Sequence, residues 1–398
     1  MAAAGQKPYR VYRGGRAKGK VPLQRREREV YRSARTDGRG PQKITERRKR
    51  HWSWRRRILV ALAAVIVLFV VWAIAGYLSV RSGVKDANAR LPAGTTSVLA
   101  PDNGLLLSNP TNILLLGTDH ATNGQAGRSS DEHSDSMMLL RTDPSRHRLI
   151  YLSIPRDLRA SIPGYGYQKI NAAMQLGGPK LAIRTVDELF GKSLQVNHVV
   201  LVDFGSFEKL IDAVGGITIN VPENILSNKF DCPYDARRCA TWKGWRFEKG
   251  VQHMNGHRAL IYSRIRENQL DPSYTDFTRQ QHQQVVMQTT LNKLASTGTF
   301  FRLPFDGSSM LAPISTDLST WDMVQLGWVK FRAGASNTLH CRLGGSATDI
   351  GGGSYIVGTQ ENITVLQEVL GNSAPQPPSP GGGPFAPGCY VGSSGPQH

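Results

Sequence analysis

The sequence predicts an α/β fold standing behind a single membrane-spanning helix. Three observations carry this reading. Strand-like and helix-like apolar patterns alternate from residue 112 to residue 222. A run of 23 residues without a charge, 58–80, precedes them. The net charge of +19 sits almost wholly in front of that run: residues 1–57 hold 20 Lys/Arg and 4 Asp/Glu, and the remainder holds 29 and 26.

The uncharged run, ILVALAAVIVLFVVWAIAGYLSV, is long enough to cross a bilayer as a helix. Arg55, Arg56 and Arg57 cap one end, and Trp72 and Tyr77 stand toward the other, where amphipathic rings favour the interface. The positive-inside rule then leaves 1–57 in the cytoplasm and exports the rest. A cleaved signal peptide would need a shorter basic region and a shorter apolar stretch. A basic arm also suits nucleic acid, but this one abuts the span and is what membrane topology demands, so no nucleic-acid partner is expected.

The chain divides into a basic, disordered cytoplasmic arm (1–57), the span (58–80), a stalk (81–110), an exported domain (111–372) and a Pro/Gly-rich tail (373–398). In the exported domain, 112–116, 136–143, 147–155, 196–204 and 216–222 read as strands. Residues 170–191, 205–215 and 275–296 read as helices, the first interrupted at Gly177-Gly178 and restarted at Pro179. Four cysteines in an exported domain read as disulfides. Of the three connectivities, Cys232–Cys239 and Cys341–Cys389 are the expected one.

Charged residues cluster where apolar runs end. Asp119 follows NILLLGT, Asp135 precedes SMMLL, and Arg156-Asp157 follows LSIP. Ligands of α/β sheets sit outside the carboxyl ends of strands, and an antiparallel neighbour would bring Asp135 to the same edge. Downstream stand Arg264, Arg266, Asp276 and Arg279. Arg264 and Arg266 share a side only if that stretch is extended. Carboxylates with several arginines suit a diphosphate held with Mg²⁺: oxygen donors take the hard cation and guanidinium forks take the phosphates. Taken singly, each Asp also suits a turn or helix cap, and Asn171 suits an N-cap.

Together these segments resemble the LytR-CpsA-Psr family of bacterial cell-wall ligases. The resemblance rests on NILLLGTD (112–119), HSDSMMLLRTDP (133–144), LSIPRDLRASIPGYGYQKINAA (152–173), VDFGSFEKLIDAVGGITINVP (202–222), HMNGHRALIYSRIR (253–266) and DFTRQQHQQ (276–284). It implies a three-layer α/β/α sandwich with a mixed central sheet and an apolar lipid groove. It implies transfer of a glycan polymer from a polyprenyl diphosphate carrier to peptidoglycan, with polyprenyl phosphate leaving. Carried over by position, Asp119 and Asp135 are the residues for Mg²⁺, or Mn²⁺ in its place. Arg156, Arg264, Arg266 and Arg279 grip the diphosphate, Asp157 and Asp276 are further acidic positions, and Lys169, Asn171 and Gln283 meet substrate. The partners implied are the lipid-linked glycan, peptidoglycan and the membrane. His120, His133 and His282 stand where the family has arginine, which removes permanent charge from three positions. A polyprenyl diphosphate pyrophosphatase and a non-catalytic wall- or lipid-binding membrane protein are the competing functions.

Overall fold

The computed structural model describes residues 53–101, 104–118, 134–272, 274, 276–334, 336–382 and 385–392, without the side chains of Ser134, Asp135, Phe204, Asp276, Phe277, Gln280 and Gln284. The chain divides into units 1–61 and 62–398. The described part of the first is the beginning of helix α1 (Trp54–Arg90); none of the 18 most apolar residues of that helix is buried.

After α1 the chain runs through β1 (Thr111–Thr118), β2 (Ser134–Asp143), β3 (Arg148–Ile154) and the hairpin β4 (Arg159–Ile162) and β5 (Gly166–Lys169). Helix α2 (Ala172–Phe190), β6 (His198–Asp203), α3 (Phe204–Ala213), β7 (Ile217–Val221) and β8 (Ile225–Leu226) follow. Next come α4 (Ala236–Thr241), β9 (Arg246–Phe247), β10 (Gly250–Met254), α5 (Gly256–Arg264), α6 (Asp276–Leu294) and α7 (Thr297–Leu311). The chain ends with β11 (Ser315–Thr316), α8 (Thr320–Ala333), β12 (Thr338–Arg342), the hairpin β13 (Gly345–Ile350) and β14 (Gly353–Gly358), α9 (Glu361–Leu370) and β15 (Gly388–Val391).

Seven strands form one mixed sheet in the order β11-β6-β1-β2-β3-β12-β15. β1 is antiparallel to β2 and parallel to β6, and β3 is antiparallel to β2 and parallel to β12. The middle strands read as unbroken apolar runs because both faces are covered. Leu114, Leu116, Leu139 and Leu152 meet α2 and α9 through Ile183, Val186, Val365 and Val369. The alternate residues Ile113, Leu115, Met138, Leu140 and Tyr151 meet Val329 and Ala333 of α8, with Met287 and Leu291 of α6 packed alongside. This is the α/β/α sandwich. A third cluster joins α3, α5 and α6 to β7 and β10.

Helix ends follow local chemistry. The Asp203 carboxylate accepts from Ser206 N at 2.7 Å to start α3, Asn255 accepts from Arg258 N at 2.9 Å to start α5, and Ser319 with Asp322 closes a capping box on α8. Within α2, Gly177 and Gly178 leave helical geometry at the interruption that the sequence marks.

In the segment 81–110, α1 continues to Arg90, with Gly83, Val84 and Ala87 buried, and Val98 and Leu99 pack on the core beneath α2. After α9 the chain returns as β15 on the sheet edge beside β12. Disulfides join Cys232 to Cys239, seven residues apart, and Cys341 to Cys389, 48 apart. The second lies wholly buried between β12 and β15.

Loop-closure entropy makes the longer crosslink the more stabilising one. Replacing Cys341 and Cys389 together by Ala is expected to cost about 4 kcal/mol, against about 2 kcal/mol for the Cys232/Cys239 pair. Urea unfolding of the full chain in detergent, compared with both double variants, reads this order.

Candidate functional site

One edge of the sheet gathers the chain segments that carry the expected chemistry. Thr118, the last residue of β1, pairs with Ser134, the first of β2, and Met137 pairs with Ile154, the last of β3. The residue after Thr118, the residue after Ser134 and the turn after Ile154 therefore leave from the same edge. Asp119, together with His120 and His133, lies outside the described residues, as does the side chain of Asp135. Among the described residues, no three His, Cys, Asp or Glu side chains gather as metal ligands.

The turn after β3 is built to hold charge. Leu158 N donates to Pro155 O, and Asn171 N donates to Arg156 O at 3.2 Å. Ile356 N of β14 donates to Asp157 O at 2.9 Å. The β4–β5 hairpin then reverses the chain, pairing Arg159 with Lys169, and so returns Lys169 to where the turn began. Lys169 Nζ reaches Asp157 Oδ1 at 2.8 Å, and Arg156 Nε lies 3.3 Å from Asp157 Oδ2. Both oxygens of Asp157 are thus engaged, and two cations are fixed side by side in a half-buried turn. Asn171 occupies the N-cap position of α2 but makes no capping hydrogen bond with its side chain, which is buried.

At the same end of the sheet, a small cleft open to solvent is lined by Gly117, Ser136, Val202, Phe207, Leu260, Ser263, Gln283 and Met287. The surface it exposes is mostly apolar, with Ser136, Ser263 and Gln283 among the residues that line it. Helix α6 contributes Gln283 and Met287 to it. On the same face, at helical spacing, stand Arg279 and His282, both buried. Asp276 opens that helix, but its side chain is outside the description.

Arg264 is the last residue of α5, and Ile265 takes an extended backbone (φ −65°, ψ 121°), the condition under which Arg264 and Arg266 can share a side. Arg264 Nη1 pairs with Asp231 Oδ2, and its guanidinium lies over the Phe230 ring. Arg266 is exposed. Two contributors escaped the sequence reading. Asp231 stands next to Cys232 in the disulfide loop with φ +45°, a left-handed conformation that Asp adopts more readily than most residues. Tyr355 of β14 has its ring centroid 5.7 Å from Lys169 Nζ; nothing local in its sequence announces that contact.

The LytR_cpsA_psr family model matches residues 82–371. The chain belongs to the LytR-CpsA-Psr family. The regulatory protein MsrR of Staphylococcus aureus is 34% identical over 217 residues, covering 54% of this chain and 58% of MsrR. TagU of Oceanobacillus iheyensis, named a polyisoprenyl-teichoic acid–peptidoglycan teichoic acid transferase, is 32% identical over 272 residues, covering 67% of this chain and 77% of TagU. Among solved structures, Bacillus subtilis TagV superposes with a TM-score of 0.53 at 26% identity, covering 67% of this chain and 97% of TagV. TagT bound to LI-WTA gives 0.51 at 25%, covering 71% of this chain and 96% of TagT.

The family resemblance leads one to expect arginine at position 282, where this chain has histidine. Here His282 stacks on Tyr262 with centroids 4.1 Å apart, and Tyr274 Oη lies 2.9 Å from its Nε2. Burial pushes its pKa down to about 4, against the pull of a hydrogen bond to the Tyr262 backbone. The same burial raises both phenols well above their ordinary range. His282 is therefore a neutral, aromatic-packed replacement, and it takes a full charge out of this part of the site.

His340 of β12 is held down to about 4 in the same way, by burial, with Lys330 adding to the effect and a hydrogen bond to Gly392 O opposing it. Both histidines are neutral in the fold and take a proton near pH 6.5 when unfolded. Their stabilising contribution is complete above about pH 6.5 and is lost as pH falls toward about 4. Chemical denaturation at pH 7.5 and near pH 4.5 is expected to show a smaller acid loss for the His282→Gln/His340→Gln variant than for the parent.

Proposed function

We propose that this chain is a phosphotransferase that moves a glycopolymer from a polyprenyl diphosphate carrier onto peptidoglycan, forming a phosphodiester and releasing polyprenyl phosphate. The observation that carries the reading is the juxtaposition at one sheet edge of a fixed cation pair, Arg156 and Lys169 on Asp157, with an apolar cleft. A lipid-linked diphosphate needs both. The names of TagU and TagV as polyisoprenyl-teichoic acid–peptidoglycan teichoic acid transferases, and the TagT complex with LI-WTA, support the same substrate class.

In this reading the lipid tail lies in the cleft and its diphosphate meets Arg156, with Arg264, Arg266 and Arg279 completing the cationic shell. An acceptor hydroxyl of peptidoglycan attacks the sugar-linked phosphorus. The bond from that phosphorus to the bridging oxygen breaks, and the electron pair leaves with polyprenyl phosphate. Positioning and charge stabilisation supply most of such catalysis. Both oxygens of Asp157 hold cations in place, which supports Asp157 as a positioning residue and Asp276 as the base that takes the hydroxyl proton. Asp119 and Asp135, as paired oxygen donors, suit Mg²⁺, which when bound neutralises phosphate charge. Lys169, Asn171 and Gln283 orient substrate. The membrane span at α1 keeps the site beside its lipid carrier, with the basic arm in the cytoplasm.

The test is turnover by the full chain in nanodiscs, given a short-chain polyprenyl diphosphate glycan, a peptidoglycan oligomer and Mg²⁺, with products followed by mass. Glycan joined to peptidoglycan is the expected product. Arg156→Ala is expected to lower kcat about 100-fold or more, as loss of one preorganised charge-stabilising donor does, and Asp119→Ala is expected to lose activity that added Mg²⁺ does not restore. Polyprenyl phosphate without joined glycan would assign the pyrophosphatase instead. Bound lipid with no turnover would assign a binding protein.

A further inference from the structure

Helix α7 has an apolar face that, among the described residues, only Trp72 of α1 partly covers. Phe300, Phe301 and Phe305 are 48%, 64% and 80% exposed. Three phenylalanines open to water on one helix need a covering partner.

The packing of α7 says what that partner is. α7 lies against the outer half of α1, and the two run parallel. The Trp72 ring meets Phe300 and Phe301 with centroids 4.9 and 5.9 Å away, and Trp72 Nε1 donates to Phe301 O at 3.3 Å. Further along, Gly76 faces Pro304, Ser79 Oγ accepts from Ser308 N at 3.1 Å, and Arg90 donates to Ile314 O at 2.6 Å. The contact is close because it is glycine-lined. A Cβ on Gly83 would come within 2.9 Å of Ser308 Cα, and one on Gly307 within 3.1 Å of Val80 Cγ2. Small residues at a close helix crossing are the usual means of packing where lipid, not water, surrounds the pair.

Trp72 lies inside the uncharged run, eight residues before its end at Val80. At 1.5 Å per residue, that places the start of α7 about 12 Å below the end of the run. A bilayer crossed by α1 at Trp72 therefore reaches Phe300 and Phe301 at the same depth. The charges of α7 fit such a setting. They are Arg302 and Asp306, one turn apart, and they pair with each other at 2.5 Å.

We propose that α7 is a second membrane contact: its leading half, residues 297–305, lies among the acyl chains of the leaflet beside α1, with Phe300, Phe301 and Phe305 facing lipid. This rests on the reading of α1 as a membrane span. It goes beyond that reading by assigning the folded domain its own insertion into the bilayer. α7 also packs against α3 and α6, which supply Phe207 and Met287 to the apolar cleft. The inserted helix thus borders the elements that would receive a lipid tail.

The experiment uses the full chain in phosphatidylcholine nanodiscs doped with phosphatidylcholine carrying a diazirine at mid-acyl chain, irradiated and mapped by peptide mass spectrometry. Adducts on residues 58–80 and also on 297–305 are the expected result. Adducts on 58–80 with none on 297–305 would overturn the proposal and leave the span intact. Adducts on neither would overturn the span reading as well. Adducts confined to Phe207, Leu260 and Met287 would report a tail in the cleft and not an inserted helix. Crosslinks between two copies through 297–305, in place of lipid adducts, would assign the face to a second copy of the chain.

Discussion

Strands β1, β2 and β3 are buried on both faces, and that constraint organises everything around them. Every residue from Ile113 to Leu116, and from Met137 to Leu140, is buried against apolar neighbours. A charge placed within such a run would lose its hydration with no room for a compensating partner. Functional charge is therefore pushed to the strand ends. Because β2 runs against both β1 and β3, the ends of β1 and β3 and the start of β2 fall on one edge. The turn after β3, the hairpin that carries Lys169 back to it, and the face of α6 bearing Gln283 are all arranged around that edge.

The cluster at Asp157 shows how a short sequence delivers a precise geometry. Pro155 ends the strand, and the hairpin that follows has its turn at Gly164 and Gly166, both at positive φ. The hairpin register sets Lys169 opposite Arg159 and brings its ammonium to the carboxylate of Asp157, twelve residues earlier in the chain. The cost of ordering long cationic side chains is met by the fold before any substrate arrives, which is the condition for electrostatic preorganisation. At position 282 the same economy works in the opposite direction. An aromatic stack and a phenol hydrogen bond settle the imidazole in its neutral form.

Much of this was legible in the sequence because the signals are local. Apolar runs gave β1, β2, β3 and β6 of the central sheet, Gly177-Gly178 and Pro179 gave the break in α2, and the uncharged run gave the apolar part of α1. The pairing of Thr118 with Ser134 follows once β1 and β2 are antiparallel. Other features depend on partners far along the chain. β15 is four residues, Gly388–Val391, after a Pro/Gly-rich stretch, and only its register with β12 makes it a strand. Asp231 and Tyr355 meet Arg264 and Lys169 across long sequence separations, and neither carries a motif of its own. The burial of Gly83 in α1 depends on α7, more than 200 residues later.

The bond between Cys341 and Cys389 has one more consequence. The final strand is sewn to its neighbour, while the stretch between α9 and β15 that leads to it holds no regular element. A proteolytic cut anywhere between residues 372 and 387 would separate the chain into two pieces and yet release neither. The nicked molecule would keep its sheet edge, and the scar would show only after reduction. In such a domain, integrity of the chain and integrity of the fold are different things.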